Sequence, residues 1–351
     1  MKTRLLHHRI LILLITGLAS LPGLFAQDIH FAQFHNAPVN LNPGLVGVFG
    51  GDIRFVANYR QQWKSVPVPY STFMGSFENK FFYSKGKFDR YITGGIMITS
   101  DEQGSAHLKS LQIGVPLSIT IPLTKNKKHF LTAGVNMSYG QRNFSTNSLS
   151  FDNQFIDFMY NPNADPIEGA LFANTNIQYF DLSHGLNWRY QSKKRRTKFD
   201  LGGAAYHLNR PNHDFWSPDR DVRLDIRKLG YFLYQVQLSK SFDLVGQYLW
   251  QNQGTYNEQM YTLSGRIYLN RRPYHELAIQ VGFNYRSRQE DAIIPVFEVH
   301  WKTWMLGMSY DINAWSQVAT ITDRRGGPEF SLMYRLYKIK PMPNFKSCPI
   351  I

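Results

Sequence analysis

Apolar and polar side chains alternate one by one along most of this chain. The clearest run is Leu111, Ile113, Val115, Leu117, Ile119, Ile121 and Leu123, interleaved with Gln112, Gly114, Pro116, Ser118, Thr120 and Pro122. A period of two puts the aliphatic set on one face of a β-strand and the small or polar set on the other. Similar segments recur at regular spacing and predict strands over 52–60, 70–79, 89–100, 107–123, 129–141, 179–190, 198–208, 229–238, 242–251, 258–269, 274–286, 291–301, 304–313 and 329–337. In 274–286 the apolar set is Leu277, Ile279, Val281, Phe283 and Tyr285. In 179–190 it is Phe180, Leu182, Leu186, Trp188 and Tyr190, with His184 interrupting. Pro116 and Pro122 cannot donate to a ladder, so a bend or bulge is expected in their strand.

Two further regularities decide between a water-facing sheet and a membrane barrel. Tyr and Trp cluster at strand ends, among them Tyr59, Trp63, Tyr139, Trp250, Trp301, Trp304 and Tyr334. Interfacial girdles of an outer-membrane barrel put aromatics there, whereas β-propensity alone gives no preference for strand ends. The connections also alternate in length. The stretches 80–88, 124–128, 191–197, 239–241, 270–273 and 302–303 are short, while 142–178, 209–228 and 314–328 are long. Short periplasmic turns and long outer loops have this asymmetry, and an even strand count returns both chain ends to the periplasm. The fold class is therefore all-β: a transmembrane outer-membrane β-barrel of about 14 antiparallel strands. Past residue 26 no run of 18 apolar residues occurs, which excludes a helical membrane protein.

Composition sharpens this. Charged residues are 18% of the chain, below the usual share of about a quarter, while aromatics reach 15%. The single cysteine, Cys348, rules out an internal disulfide framework and any cysteine-based metal cluster. Residues 1–26 read as a secretory signal, with Lys2, Arg4 and Arg9 before an apolar stretch broken by Pro22 and Gly23. Its removal takes away three basic residues and lowers the formal net charge from +14 to +11. The chain thus divides into the signal 1–26, an N-terminal segment 27–50, the barrel 51–337 and a basic periplasmic tail 338–351.

The excess charge is not spread evenly. The six short turns hold fourteen Lys and Arg, from Lys80 to Lys302, and no Asp or Glu. Lys193, Lys194, Arg195 and Arg196 form the densest arc. A basic collar meets anionic lipid headgroups or an acidic periplasmic partner. Basic residues scattered over turns at membrane depth do not fit nucleic acid.

Nothing in the chain reads as an active site or a cofactor site. It has no G-x-S-x-G, H-E-x-x-H or phosphate-binding loop. His213-Asp214 in a long loop keeps a barrel hydrolase open as a minor alternative, and a passive porin or hydrophobic-solute channel is the runner-up.

The segment ahead of the first strand is distinctive. Gln27-Asp28-Ile29-His30-Phe31-Ala32-Gln33-Phe34 leads to Asn42-Pro43-Gly44 and Gly47, and the first strand ends Tyr59-Arg60-Gln61-Gln62-Trp63. Tyr310-Asp311-Ile312-Asn313, Gly326-Gly327-x-Glu329 and Cys348-Pro349 stand near the far end, with Tyr206-His207-Leu208-Asn209-x-Pro211 between. In these elements the chain resembles the PorP/SprF outer-membrane proteins of the Bacteroidetes type IX secretion and gliding machinery. Gly44 stands where that family more often has Ala. The resemblance implies a non-enzymatic role: helping export, or retain at the surface, proteins with C-terminal sorting domains of the gliding-adhesin type. It also implies periplasmic and outer-membrane secretion components as partners.

Two structural expectations follow from the residues themselves. Segment 27–50, rich in Asn, Gly, Pro and aromatics but without alternation, folds against the barrel, inside the lumen or across its periplasmic mouth, burying Phe31 and Phe34. The last strand, with Phe330, Leu332, Tyr334 and Leu336 opposite Glu329, Ser331, Met333 and Arg335, pairs antiparallel to 52–60 and removes both open edges.

Overall fold

A strand with one apolar and one polar face satisfies both inside a bilayer only if the sheet closes on itself. The computed structural model of the chain closes in this way. It describes residues 28–62, 70–84, 90–104, 106–146, 149–156, 159–161, 163–164, 175–215, 222–272, 275–287, 292–313 and 325–338. The signal 1–26, Trp63, Lys85, Lys87 and the tail beyond Lys338, with Cys348, lie outside these residues.

The strands are β1 (Ile53–Gln62), β2 (Tyr70–Ser84), β3 (Arg90–Gln103), β4 (Leu108–Pro122), β5 (His129–Asn143), β6 (Phe155–Ile156), β7 (Met159–Tyr160), β8 (Asn176–Gln191), β9 (Lys198–Tyr206), β10 (Arg227–Gln237), β11 (Phe242–Gln253), β12 (Tyr256–Asn270), β13 (Leu277–Ser287), β14 (Ala292–Trp301), β15 (Trp304–Asn313) and β16 (Arg325–Leu336). Fourteen of them form one closed antiparallel barrel, and β6 and β7 make a separate hairpin in the loop between β5 and β8. Every strand anticipated from alternation is present. The hairpin is too short to alternate and left no sequence signal. β16 closes the ring on β1, from Ile53↔Leu336 to Arg60↔Glu329.

The side-chain distribution is inverted relative to a water-soluble protein. Ile96, Ile113, Val115, Val135, Met137, Leu186, Leu263, Val281, Phe283 and Leu306 are all exposed on the outer face. Asn58, Glu78, Thr99, Asn136, Ser183, Asn187, Gln280 and Glu298 are buried inside. Lipid satisfies the first set, and the interior must satisfy the second by hydrogen bonding. Among the described residues, no helix is long and apolar enough to cross a membrane. By the loop asymmetry of such barrels, the end bearing the short turns faces the periplasm.

The prolines of β4 introduce no bulge. Its ladder to β5 runs unbroken from Lys109↔Asn143 to Pro122↔Phe130. Towards β3 the pairing skips Val115 and Pro116, yet the register is the same on both sides of the gap. A proline there removes a bond without requiring an extra residue. Register shifts fall instead at Lys80/Phe82, Tyr268/Asn270 and Asp311/Ile312. The collar also changes in two places. Lys80 lies in β2 with its side chain buried, its Nζ 2.7 Å from the Phe49 carbonyl oxygen, so it is not a turn residue. β13 begins at Leu277, which leaves Glu276 in the neighbouring turn among the basic residues.

Candidate functional site: a lumen filled by the chain's own N-terminal segment

Residues 28–51 run through the barrel from the long-loop end to the periplasmic end. Asp28 lies beside His207 and Gln253 at the outer ends of β9 and β11. The backbone of Gly51 reaches Leu336 at the inner end of β16. Three short helical turns, Phe34–Asn36, Pro38–Leu41 and Pro43–Leu45, carry the segment between these points. Proline opens the second and third, where its missing N–H costs nothing and its fixed φ suits the turn. The apolar side chains of the segment form the core that the barrel wall lacks. Phe31 packs with Val39, Val46, Met74 and Met97, and Phe34 packs with Leu41, Leu45, Tyr206, Tyr231 and Leu249.

A buried irregular backbone needs partners for its N–H and C=O groups. The wall supplies them from strands all round the barrel. The Glu329 carboxylate accepts the amides of Ala32 and Gln33, each at 2.7 Å. Asn284 donates to the Ala32 carbonyl at 2.7 Å and Asn58 to that of Asn36 at 3.2 Å. Tyr206 donates its hydroxyl towards the Val39 and Asn40 carbonyls, and Arg227 reaches Asn40 as well. Asn42 bridges inwards and outwards. Its Oδ1 accepts the Gly44 amide at 2.6 Å, and its Nδ2 donates to the Leu186 carbonyl and the Tyr231 hydroxyl. Glu78 accepts the Gly47 amide at 2.9 Å while taking two bonds from Arg54.

Backbone closeness dictates some residue types. Gly47 has φ +79°, and a Cβ there would also strike Thr93. Gly134 on β5 lies directly under the Pro43 carbonyl, where a methyl group would collide with it.

The outer end of the segment is held by charge. His207 Nε2 lies 2.6 Å from Asp28 and its Nδ1 lies 3.0 Å from Asp181, while Arg227 Nε is 3.5 Å from Asp28. Burial alone would lower the His207 pKa, but the Asp28 and Asp181 carboxylates push it up to about 9. Burial likewise works against the Asp28 charge, and His207 with Arg227 outweighs it, holding that carboxyl well below its usual range. At the seam between β1 and β16, Arg60 binds Asp311 at 2.9 Å and the His30 carbonyl at 2.6 Å, with Glu329 at 3.8 Å. Arg286 meets the same Asp311 at 3.2 Å.

The motif residues of the two chain ends therefore meet in one place. Phe31, Gln33, Phe34, Asn42, Pro43, Gly44 and Gly47 lie on the segment. Arg60 and Glu329, paired across β1 and β16, lie on the wall that grips it. Gly327 faces Asp311 across the strands, and Gly326 is the extra residue at the register shift beside it. Tyr59 points the other way, onto the lipid face, and Gln62 lies half-buried at the outer rim against Tyr70. A sequence profile described as "Type IX secretion system membrane protein PorP/SprF" matches residues 24–334. The chain belongs to this family.

PorP/SprF membership and the barrel agree in placing the protein in the outer membrane. Similar solved structures include the toluene transporter TbuX of Ralstonia pickettii, with TM-score 0.51 and 12% identity over 86% of this chain and 94% of that chain. Others are the P. putida toluene transporter TodX, with TM-score 0.46 and 9% identity over 85% and 93%, and a Pseudomonas aeruginosa FadL homologue, with TM-score 0.47 and 10% identity over 84% and 93%. At these identities the likeness is one of fold. A search among curated proteins finds no relative.

The remaining candidate residues are dispersed. Lys193, Lys194 and Arg195 project from the turn between β8 and β9 into solvent. Arg196 does not. Its guanidinium binds Asp243 at 2.7 Å, caps the Ser239 and Lys240 carbonyls, and lies 4.1 Å above the Tyr268 ring. The His213 ring contacts Arg142 at 3.1 Å and packs at a tilt of 58° against Tyr179, and neither of its nitrogens meets Asp214. Burial and the Arg142 charge push the His213 pKa down to about 4. The acidic wall residues Glu78, Asp181, Glu298 and Asp311 escaped the reading of the sequence as site residues. The available signal was a carboxylate in the polar register of a membrane strand, where its cost demands a partner.

Proposed function

We propose that this PorP/SprF protein is a non-enzymatic outer-membrane component of type IX secretion. In this reading it is delivered by a cleaved signal and closed at rest by its own N-terminal plug. It helps export, or attach at the surface, a protein with a C-terminal sorting domain, and meets its periplasmic partners through the short-turn rim. The observation that carries the reading is the filled lumen. Among the described residues, a plug hydrogen-bonded to the wall from rim to rim leaves interior cavities of about 230 and 60 Å³ towards its two ends. A passive pore needs a continuous path, and a hydrocarbon conduit needs an apolar one. The polar, ion-paired wall supports neither. The shared fold with a toluene transporter carries no substrate at 12% identity.

Lys193, Lys194 and Arg195 are the part of the densest arc exposed to dock an acidic periplasmic partner, since Arg196 is used within the barrel. Changing those three to Gln leaves the strands untouched. Co-purification of periplasmic secretion components and export of the substrate then fall, with the largest difference from wild type at low salt, where the charges are least screened. Partner recovery and export equal to wild type at all salt concentrations refute the docking. Large conductance from the purified wild-type protein in planar bilayers refutes the plug and favours a channel.

A further inference from the structure

Beneath the plug, the 230 Å³ cavity forms a vestibule at the periplasmic end of the barrel. Five cationic side chains line it: Arg54, Arg189, Lys198, Arg266 and Arg335. Three of them have answering groups. Glu78 takes Arg54 through bonds of 2.8 and 2.7 Å, and Asp200 takes Arg189 through bonds of 2.7 and 2.8 Å. Arg266 donates twice to Gln280 and lies 3.8 Å from Glu298. Glu298 is already shared by His35 at 2.6 Å and His300 at 2.9 Å, so it has little left to offer.

Lys198 and Arg335 are different. Among the described residues neither side chain makes a hydrogen bond or a direct ion pair, the Asp200 carboxylate near Lys198 being bound by Arg189, and Arg335 Nε is buried and unsatisfied. Taking a guanidinium out of bulk water without an anion is costly, and placing a second unpaired cation on the same small cavity adds repulsion. Most buried charges of this wall meet an opposite one, while Lys80, Asp101 and Glu258 have neutral partners. Lys198 and Arg335, both half-buried, line the same space near the periplasmic ends of β9 and β16. That space holds several water-sized volumes, enough for a small oxyanion.

We propose that this vestibule is a binding site for an oxyanion, a carboxylate or phosphate group that enters from the periplasm and is held by Lys198 and Arg335. The Arg335 fork supplies planar donors suited to either group, and Lys198 supplies a mobile point charge. The site is independent of the collar, because neither residue belongs to the turns. It also holds whether or not the collar docks a protein.

The test uses the full chain purified in detergent at about 0.15 M salt, with calorimetric titration by inorganic phosphate and, separately, by tri-glutamate. Saturable binding of at least one probe is expected. It weakens at least ten-fold in Lys198→Met and in Arg335→Gln, and disappears when the two are combined. Arg335→Lys, which keeps the charge but loses the fork, gives an intermediate affinity. Lys109→Gln, at the opposite end of the barrel, leaves binding unchanged. Heat-modifiable migration verifies that each variant is folded. Binding of phosphate alone identifies a free ion as the natural ligand, and tighter binding of tri-glutamate identifies a polypeptide carboxylate. Failure of both probes to bind the wild type, or equal binding by the double variant, overturns the proposal.

Discussion

The carboxylate of Glu329, on the last strand, accepts the backbone amide of Gln33, on the plug, at 2.7 Å, and with its second oxygen that of Ala32. The two residues are 296 positions apart. Glu329→Gln replaces an oxygen acceptor by an NH₂ group that faces an N–H donor. Losing one charge-assisted bond and leaving an amide unsatisfied costs about 2–3 kcal/mol. The plug of the variant should open roughly 30- to 150-fold more often. Limited proteolysis within 28–50, at unchanged heat-modifiable migration, measures this.

Gly134 offers a steric counterpart. A methyl group there collides with the Pro43 carbonyl, and neither backbone can retreat without breaking the ladder of β5 or the Asn42 network. Gly134→Ala should therefore assemble as a barrel while displacing the Asn42–Gly44 turn. A cysteine placed at Val46 in this variant is expected to react with a membrane-impermeant thiol reagent, and to be protected when Gly134 is kept.

The outer latch is pH-dependent, and its direction follows from the shifts. The His207 pKa rises from 6.5 to about 9, so its contribution is complete below pH 6.5 and is lost as pH climbs through about 9. The Asp28 pKa is lowered, so its contribution is present above pH 3.8 and is lost only in strong acid. The His207 part amounts to about 3 kcal/mol. Amide protection of 28–34, corrected for intrinsic exchange, should be higher at pH 6 than at pH 9.5. His207→Gln should flatten that difference, and the latch is refuted if the wild type already shows none.

Val135 lies midway along β5 and is exposed on the outer face. Val135→Arg places a charge near the bilayer midplane and should cost about 2–4 kcal/mol. Urea unfolding in liposomes reads this cost, and an unchanged midpoint would show that the face does not meet lipid.

How much of this could be read from the chain alone depends on distance. Alternation is local, because successive side chains of any strand take opposite faces, so Ile113 against Gln112 and Phe283 against Asn284 were legible without a partner strand. The barrel, its strand number and its closure on Glu329–Leu336 follow from that rule and from the need to remove edges. Strand geometry alone could not say that Pro116 leaves the register of β4 unshifted, because the outcome depends on which neighbour the missing N–H would have faced. Nor could it say what fills the lumen. Segment 28–50 has no period, and its conformation is set by groups brought to it from elsewhere: Glu329, Asn284, Tyr206, Glu78 and the bare backbone of Gly134. Arg60 and Glu329 stand out in the sequence only as separate motif residues. Ring closure makes them cross-strand partners, and only then does the pair become the clamp on Gln33. Lys198 and Arg335 are likewise ordinary basic residues until the fold brings both to one cavity and leaves them without a direct ion pair.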